Sequence, residues 1–178
     1  MSTKTLAKSI IVLTVICLVI SAALAIVNSF TSPMIESAKV ERENASRQQV
    51  LPAAADFEEL SLDGLPDSVS GAYRGVDASG NTVGYVFTVG NKGFDGTVVV
   101  MTAIGADGKI VQVSTIDVTS ETKTLGGQTA NESYTSQYTG KDAALEGIDA
   151  ISGATITSTA YEQCVSDSFA AYDAVKEG

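Results

Sequence analysis

The chain has 178 residues, 11 basic and 21 acidic, with no histidine and two cysteines. That length suits one domain of ordinary size, and the formal charge of −10 leaves no basic patch for nucleic acid. Without histidine the commonest general base and metal ligand are gone, and Cys17 and Cys164 are too far apart for a zinc or cluster motif.

Lys4 and Lys8 are the only charged residues before Glu36, and Ser9 to Ile35 is an uncharged run. Its core, Ile10–Phe30, would span about 31 Å as a helix at about 1.5 Å per residue, which matches a bilayer interior. A single transmembrane helix is expected, surrounded by membrane lipid. The two lysines before it place the N-terminus in the cytoplasm and the acidic remainder outside. A cleaved signal peptide is the rival, because Ala23-Leu24-Ala25 resembles a cleavage site. The apolar run continues through Ile26, Val27 and Phe30, which favours a retained anchor.

Pro33 marks the emergence from the anchor. Met34–Pro52 then has helical spacing, with Ile35, Ala38, Val40, Ala45, Val50 and Leu51 set among charged residues. The following stretch to Gly71 reads as a turn-rich connector. From Ala72 the period shifts towards two, predicting two strands joined by a turn over Asp77–Asn81, with Tyr85 and Phe87 on one face. Two more strands flank Asp107-Gly108, the strongest hairpin signal in the chain. Ser120–Gly147 is rich in Gly, Ser and Thr and reads as a loop with a short helix. The C-terminal segment reads as a helix, with Ala160, Cys164, Val165, Phe169, Tyr172 and Val175 forming an apolar stripe. The expected division is residues 1–30 for the cytoplasmic N-terminus and anchor, 31–70 for a helical connector, and 71–178 for an α+β domain. That domain has a small antiparallel sheet and flanking helices.

Two segments carry possible chemistry. Asp149–Ser158, "DAISGATITS", places small residues and hydroxyls at the start of the last helix. Unpaired N–H groups and a partial positive charge there suit a phosphate. The plainer alternative is that Thr157 or Ser158 simply caps the helix. A hydroxyl nucleophile at Ser152 or Thr155 would lack its activating base. The second segment, "SETKTLGGQ" (Ser120–Gln128), has a glycine pair and an apolar Leu125. It matches neither phosphate-loop nor dinucleotide motifs.

Taken together, these segments resemble a known family. Asp-x-x-Ser-Gly-Ala-Thr-x-Thr-Ser is similar to the attachment signature of bacterial domains that carry FMN through a phosphoester on the threonine of Ser-Gly-Ala-Thr. Gly84–Ile110 resembles the strand–hairpin block of these domains, and "VLPAAADFEEL" resembles their membrane-proximal connector. "SETKTLGG" stands where they show Glu-Thr-Pro-Gly-Leu-Gly. Behind an exported anchor, the layout resembles the G subunits of Rnf complexes, which are ion-translocating ferredoxin:NAD⁺ oxidoreductases. The likeness runs over nearly the whole chain from Lys4.

The resemblance implies covalent FMN on Thr155, with Ser152, Gly153, Ala154, Thr157 and Ser158 around the phosphate and ribityl chain. It sets Glu121, Thr122, Leu125 and Gly126 on the flavin side. Lys123 and Thr124 depart from the usual Pro-Gly. Asp149 is expected to serve the attaching enzyme or to cap the turn. The implied role is an electron relay between redox centres of a membrane complex that couples ferredoxin:NAD⁺ oxidoreduction to Na⁺ or H⁺ movement. Its implied partners are the other Rnf subunits and an exported flavin transferase. Three other readings remain open: the C subunit of the Na⁺-pumping NADH:quinone oxidoreductase, a free-standing anchored flavoprotein, and a non-redox anchored binding domain.

Overall fold

The computed structural model describes residues 3–176, and the chain falls into two units, Met1–Arg42 and Glu43–Gly178. Helix α1 runs Thr3–Val50. It passes through Pro33, whose missing N–H removes one i→i−4 bond without ending the helix. Within α1, Ile10–Ser29 has a mean hydropathy of 3.2 and none of it is buried, so this one helix among the described residues is long and apolar enough to cross a membrane. Two of its hydroxyls bond back to the helix. The Thr14 hydroxyl donates to the Ile10 carbonyl and that of Ser29 to the Ile26 carbonyl, as an apolar surrounding requires. The side chains of Lys4 and Lys8, and of Ile35, Ala38 and Val40 in the expected amphipathic run, lie outside the described residues.

The second unit is built on an antiparallel meander, β1 (Asp56–Glu59), β2 (Val69–Val76), β3 (Thr82–Lys92), β4 (Thr97–Gly105) and β5 (Ile110–Asp117), each strand beside its chain neighbour. The turns are those the sequence signals. Asp77 Oδ1 accepts the N–H groups of Ser79 and Asn81 at 2.8 and 2.9 Å, an Asx arrangement that fixes the β2–β3 connection. At the β4–β5 connection, Gly108 takes φ +76°, and the Gly105 N–H donates to the Lys109 carbonyl.

Strand alternation gives the sheet two faces. Phe87, Val89, Val98, Val100, Ile104 and Val113 point to one side and pack under helix α3 (Thr155–Val175) through Ala160, Tyr161, Cys164, Val165 and Phe169. The expected stripe is therefore the buried face of α3, with Tyr161 fully buried in addition. Tyr85 stacks on Phe87 with centroids 6.4 Å apart, on the single face foreseen for both. The opposite side carries Val86, Met101 and Ala103, covered by Val50, Leu51 and Ala54. There the Arg47 guanidinium lies 3.8 Å from the centre of the Tyr73 ring.

One segment departs from expectation. Asp56–Glu59, read as part of a connector, is edge strand β1, paired with Tyr73–Val76 of β2. Its pairing is through the backbone, and its acidic, exposed side chains suit a short sheet edge. Otherwise the α+β architecture is as expected: a small antiparallel sheet with flanking helices. The segment after β5 is a chain of short turns, with 3-10 turns at Gly126–Ala130 and Ser136–Tyr138 around the one-turn helix α2 (Glu132–Thr135). Tyr134, Tyr138 and Tyr161 anchor it in a buried cluster with ring centres 5.3–5.8 Å apart. Burial lifts the Tyr138 and Tyr161 hydroxyls above the ordinary phenol range, so these rings act as neutral packing.

Candidate functional site

Gly153 lets the motif before α3 turn. It takes φ +80°, and a side chain there would also press on Leu125 Cδ2 at 3.3 Å. The Ala154 N–H donates to the Ile151 carbonyl at 2.9 Å, and the first helical bond runs from the Ser158 N–H to the Ala154 carbonyl. The N–H groups of Thr155, Ile156 and Thr157 therefore precede the helical ladder. Ala154 occupies the cap position and no side chain caps the helix. The plain capping alternative thus fails for both hydroxyls. Thr157 Oγ1 donates to Glu121 Oε2 at 2.7 Å, and Ser158 Oγ accepts the Ile151 N–H at 3.0 Å.

The loop from Glu121 to Gly126 closes on this helix start. The Thr122 carbonyl accepts the N–H groups of Leu125 and Gly127, and Thr129 Oγ1 donates to the Gly126 carbonyl. A tight turn thus forms with exposed Lys123 and Thr124 at its corner. Glu121 is 5% exposed. Its Oε1 accepts the N–H groups of Asp95 at 3.1 Å and Gly96 at 3.4 Å, both in the β3–β4 hairpin. Burial pushes the Glu121 carboxyl up, but the donors from Thr157, Asp95, Gly96 and Phe94 outweigh it and hold it below the usual range.

Between the loop and the helix lies a cleft of about 340 Å³, lined by Phe94, Glu121, Thr122, Leu125 and Gly126 on one side and Gly153–Thr157 on the other. That volume falls at the lower end of small-molecule sites. Apolar side chains stand open in both walls, with Phe94 68%, Leu125 41% and Ile156 56% exposed, and the second wall is the start of a 21-residue helix. Thr155 is exposed there, at the first helical position. A flat apolar ring beside a phosphate fits this combination: side walls for the ring, free N–H groups and a reachable hydroxyl for the phosphate.

Eight of the ten residues expected at the site come together around this cleft: Glu121, Thr122, Leu125, Gly126, Gly153, Ala154, Thr155 and Thr157. Ser152 is exposed but outside the lining, and Ser158 is buried and turned towards Ile151. Asp149 does not cap the helix. Its backbone is clamped by Gln137, whose Oε1 accepts the Asp149 N–H at 2.8 Å, and its side chain is exposed. Phe94 and Ile156 were missed. Phe94 was legible as an aromatic between glycines at a hairpin tip. Ile156 was legible as an apolar residue on the first, exposed turn of α3.

The FMN-binding domain family matches residues 93–170, which hold every residue of the cleft. The crystal structure of Shewanella oneidensis NqrC superposes with a TM-score of 0.49 at 19% identity, over 67% of each chain. The G subunit of the Na⁺-translocating ferredoxin:NAD⁺ oxidoreductase complex of Acetobacterium woodii is 34% identical over 95% of this chain and 92% of its own length. The G subunit of the ion-translocating oxidoreductase complex of Methanosarcina acetivorans is 33% identical over 88% and 89%. Its counterpart in the proton-translocating ferredoxin:NAD⁺ oxidoreductase complex of Clostridium ljungdahlii is 27% identical over 87% and 85%. With this identity along nearly its full length, the chain belongs to the G-subunit family of Rnf-type ion-translocating ferredoxin:NAD⁺ oxidoreductase complexes.

Proposed function

We propose that this chain is the electron-relay subunit of such a complex, anchored by Ile10–Ser29 with the cleft domain outside the cytoplasm, and that it carries FMN as a phosphoester on Thr155. The observation that carries the reading is the meeting of three features at one point: an exposed threonine hydroxyl, the open start of α3, and the apolar cleft beside both. When bound, FMN supplies electron transfer in single or paired steps. The protein's task is to hold and orient. The N–H groups of Thr155–Thr157 face where a phosphate would lie, and Phe94, Leu125 and Ile156 offer walls for a ring. Thr157 is committed to Glu121 and braces the helix start from behind. Outside the cytoplasm a flavin lost by dissociation has no pool to replace it, so a covalent link has a clear use there. The exposed Asp149 side chain, on a backbone fixed by Gln137, is a handle that an exported flavin transferase would recognise.

The test is co-expression of the full chain with an exported flavin transferase, followed by denaturing electrophoresis. Flavin fluorescence is expected to stay with the wild-type band and to vanish in Thr155→Val. Retention of flavin by Thr155→Val refutes the attachment site. Absence of flavin from the wild type refutes the carrier reading.

A further inference from the structure

Glu121 is the one charged residue among those lining the cleft, and its burial is arranged around it. A Cβ on Gly93 would sit 2.5 Å from Glu121 Oε1, and one on Gly126 would sit 2.7 Å from Oε2. Both glycines are therefore the room into which the carboxylate fits. Its contacts join three separate segments: the β3–β4 hairpin through Asp95 and Gly96, its own loop, and α3 through Thr157. None of these partners is a cation. The ion pairs among the described residues, Arg74–Glu58 and Lys176–Asp173, do not involve it. Neutral donors stabilise a carboxylate without cancelling its charge, so a net negative charge stays in the cleft wall. Asp95 and Lys123 nearby in the chain are exposed, where water and salt screen them.

We infer that Glu121 is a positioning residue with a second task. Its carboxylate pins the Phe94 hairpin and the Leu125 loop to the start of α3, and its unopposed charge holds the midpoint potential of the bound flavin down. The inference rests on the reading that the cleft holds FMN. Reduction by two electrons at pH 7.5, with one proton taken up from solvent, leaves one net negative charge on the ring, and a fixed negative charge in a poorly solvated wall opposes it. An ion pair in the same place would have had little such effect.

The experiment uses the full chain, loaded with FMN in the cell and purified in detergent. The flavin-bearing fraction is titrated spectroscopically at pH 7.5. Glu121→Gln is the main variant. The amide oxygen keeps the Asp95 and Gly96 N–H partners and the amide nitrogen faces Thr157 Oγ1, which accepts instead of donating. The expected result is a tenfold or larger shift of the two-electron equilibrium towards the reduced form, a rise of about 30 mV. An unchanged or lower potential in folded, flavin-bearing Glu121→Gln overturns the inference and leaves the carrier reading intact. A wild type without flavin would instead overturn the carrier reading and the inference with it. If Glu121→Gln does not fold, Thr157→Val decides: it strips one donor from the charge, so the potential falls, and Thr157→Ser restores it. A potential unmoved or raised by Thr157→Val overturns the proposal.

Discussion

Gly126→Ala tests whether the loop and the helix start form one packed unit. The new methyl group would lie 2.7 Å from Glu121 Oε2, 2.8 Å from Thr157 Oγ1 and 3.0 Å from Glu121 Cβ. The first two atoms are the two ends of one hydrogen bond, so the methyl acts as a wedge across it. Losing a bond to a charged group costs about 1.5–3 kcal/mol, and overpacking adds about 1–3 kcal/mol. Opening the bond relieves part of the crowding, so the two do not simply add, and a total of about 2–4 kcal/mol is expected. For a domain of this size that lowers Tm by about 10 °C. Near-UV circular dichroism is a suitable probe, because the chain has no tryptophan and four of its six tyrosines, Tyr134, Tyr138, Tyr161 and Tyr172, are buried. The decisive comparison is a double-mutant cycle with Thr157→Ala, which removes one end of the same bond. The combined cost should fall short of the sum by about 1 kcal/mol or more. A Tm within 2 °C of wild type, roughly the effect of half a kcal/mol or less, would refute the reasoning, and so would strict additivity.

Two further effects follow from buried polar groups. Thr102 is fully buried and its hydroxyl has no partner among the described residues, so Thr102→Val is expected to stabilise by about 1 kcal/mol, read as a rise in Tm; a drop would mean that the hydroxyl is paired. Acid should destabilise the fold in a definite window. At Glu121 burial raises the pKa but the hydrogen bonds described above win. At Asp167 burial is likewise outweighed by bonds from Asn91, Ser68 and Gln163. With folded values below unfolded ones, the folded state binds fewer protons. The stability from both groups is then complete above the unfolded carboxylate range near about pH 4 and is lost as pH falls towards the lower folded values. The slope of Tm between pH 5 and pH 3 should flatten in a Glu121→Gln, Asp167→Asn double variant, and an undiminished slope would count against this assignment.

Much of the fold was legible because its signals are local. The Asp107-Gly108 and Asp77–Asn81 turns name their own hairpins, and the spacing of Ala160, Cys164, Val165 and Phe169 needs only a helix to become a buried face. Strand β1 was hidden because three of its four residues are acidic, so only the backbone of β2 makes it a strand. The site divides in the same way. Thr155 and the Glu121–Gly126 loop came from motifs, but no local rule says that residues 36 apart, Glu121 and Thr157, share a hydrogen bond. The inward turn of Ser158 was readable in principle. It stands three and seven residues before Tyr161 and Val165, on the same buried face. Phe94 escaped because a strand reading of its hairpin attends to the strands and not to the tip.

The order of the elements also sets a timetable. The sheet is a meander in which every strand pairs with its neighbour in the chain, so it can assemble as the polypeptide appears, with short loops to close. The cleft cannot. One of its walls is the first turn of α3, the last element made, and the sheet face beneath that helix stays uncovered until it docks. A chain truncated anywhere before α3 would keep its hairpins and turns but have no place for the cargo. An enzyme that waits for a properly formed cleft would thereby modify finished molecules and pass over partial ones.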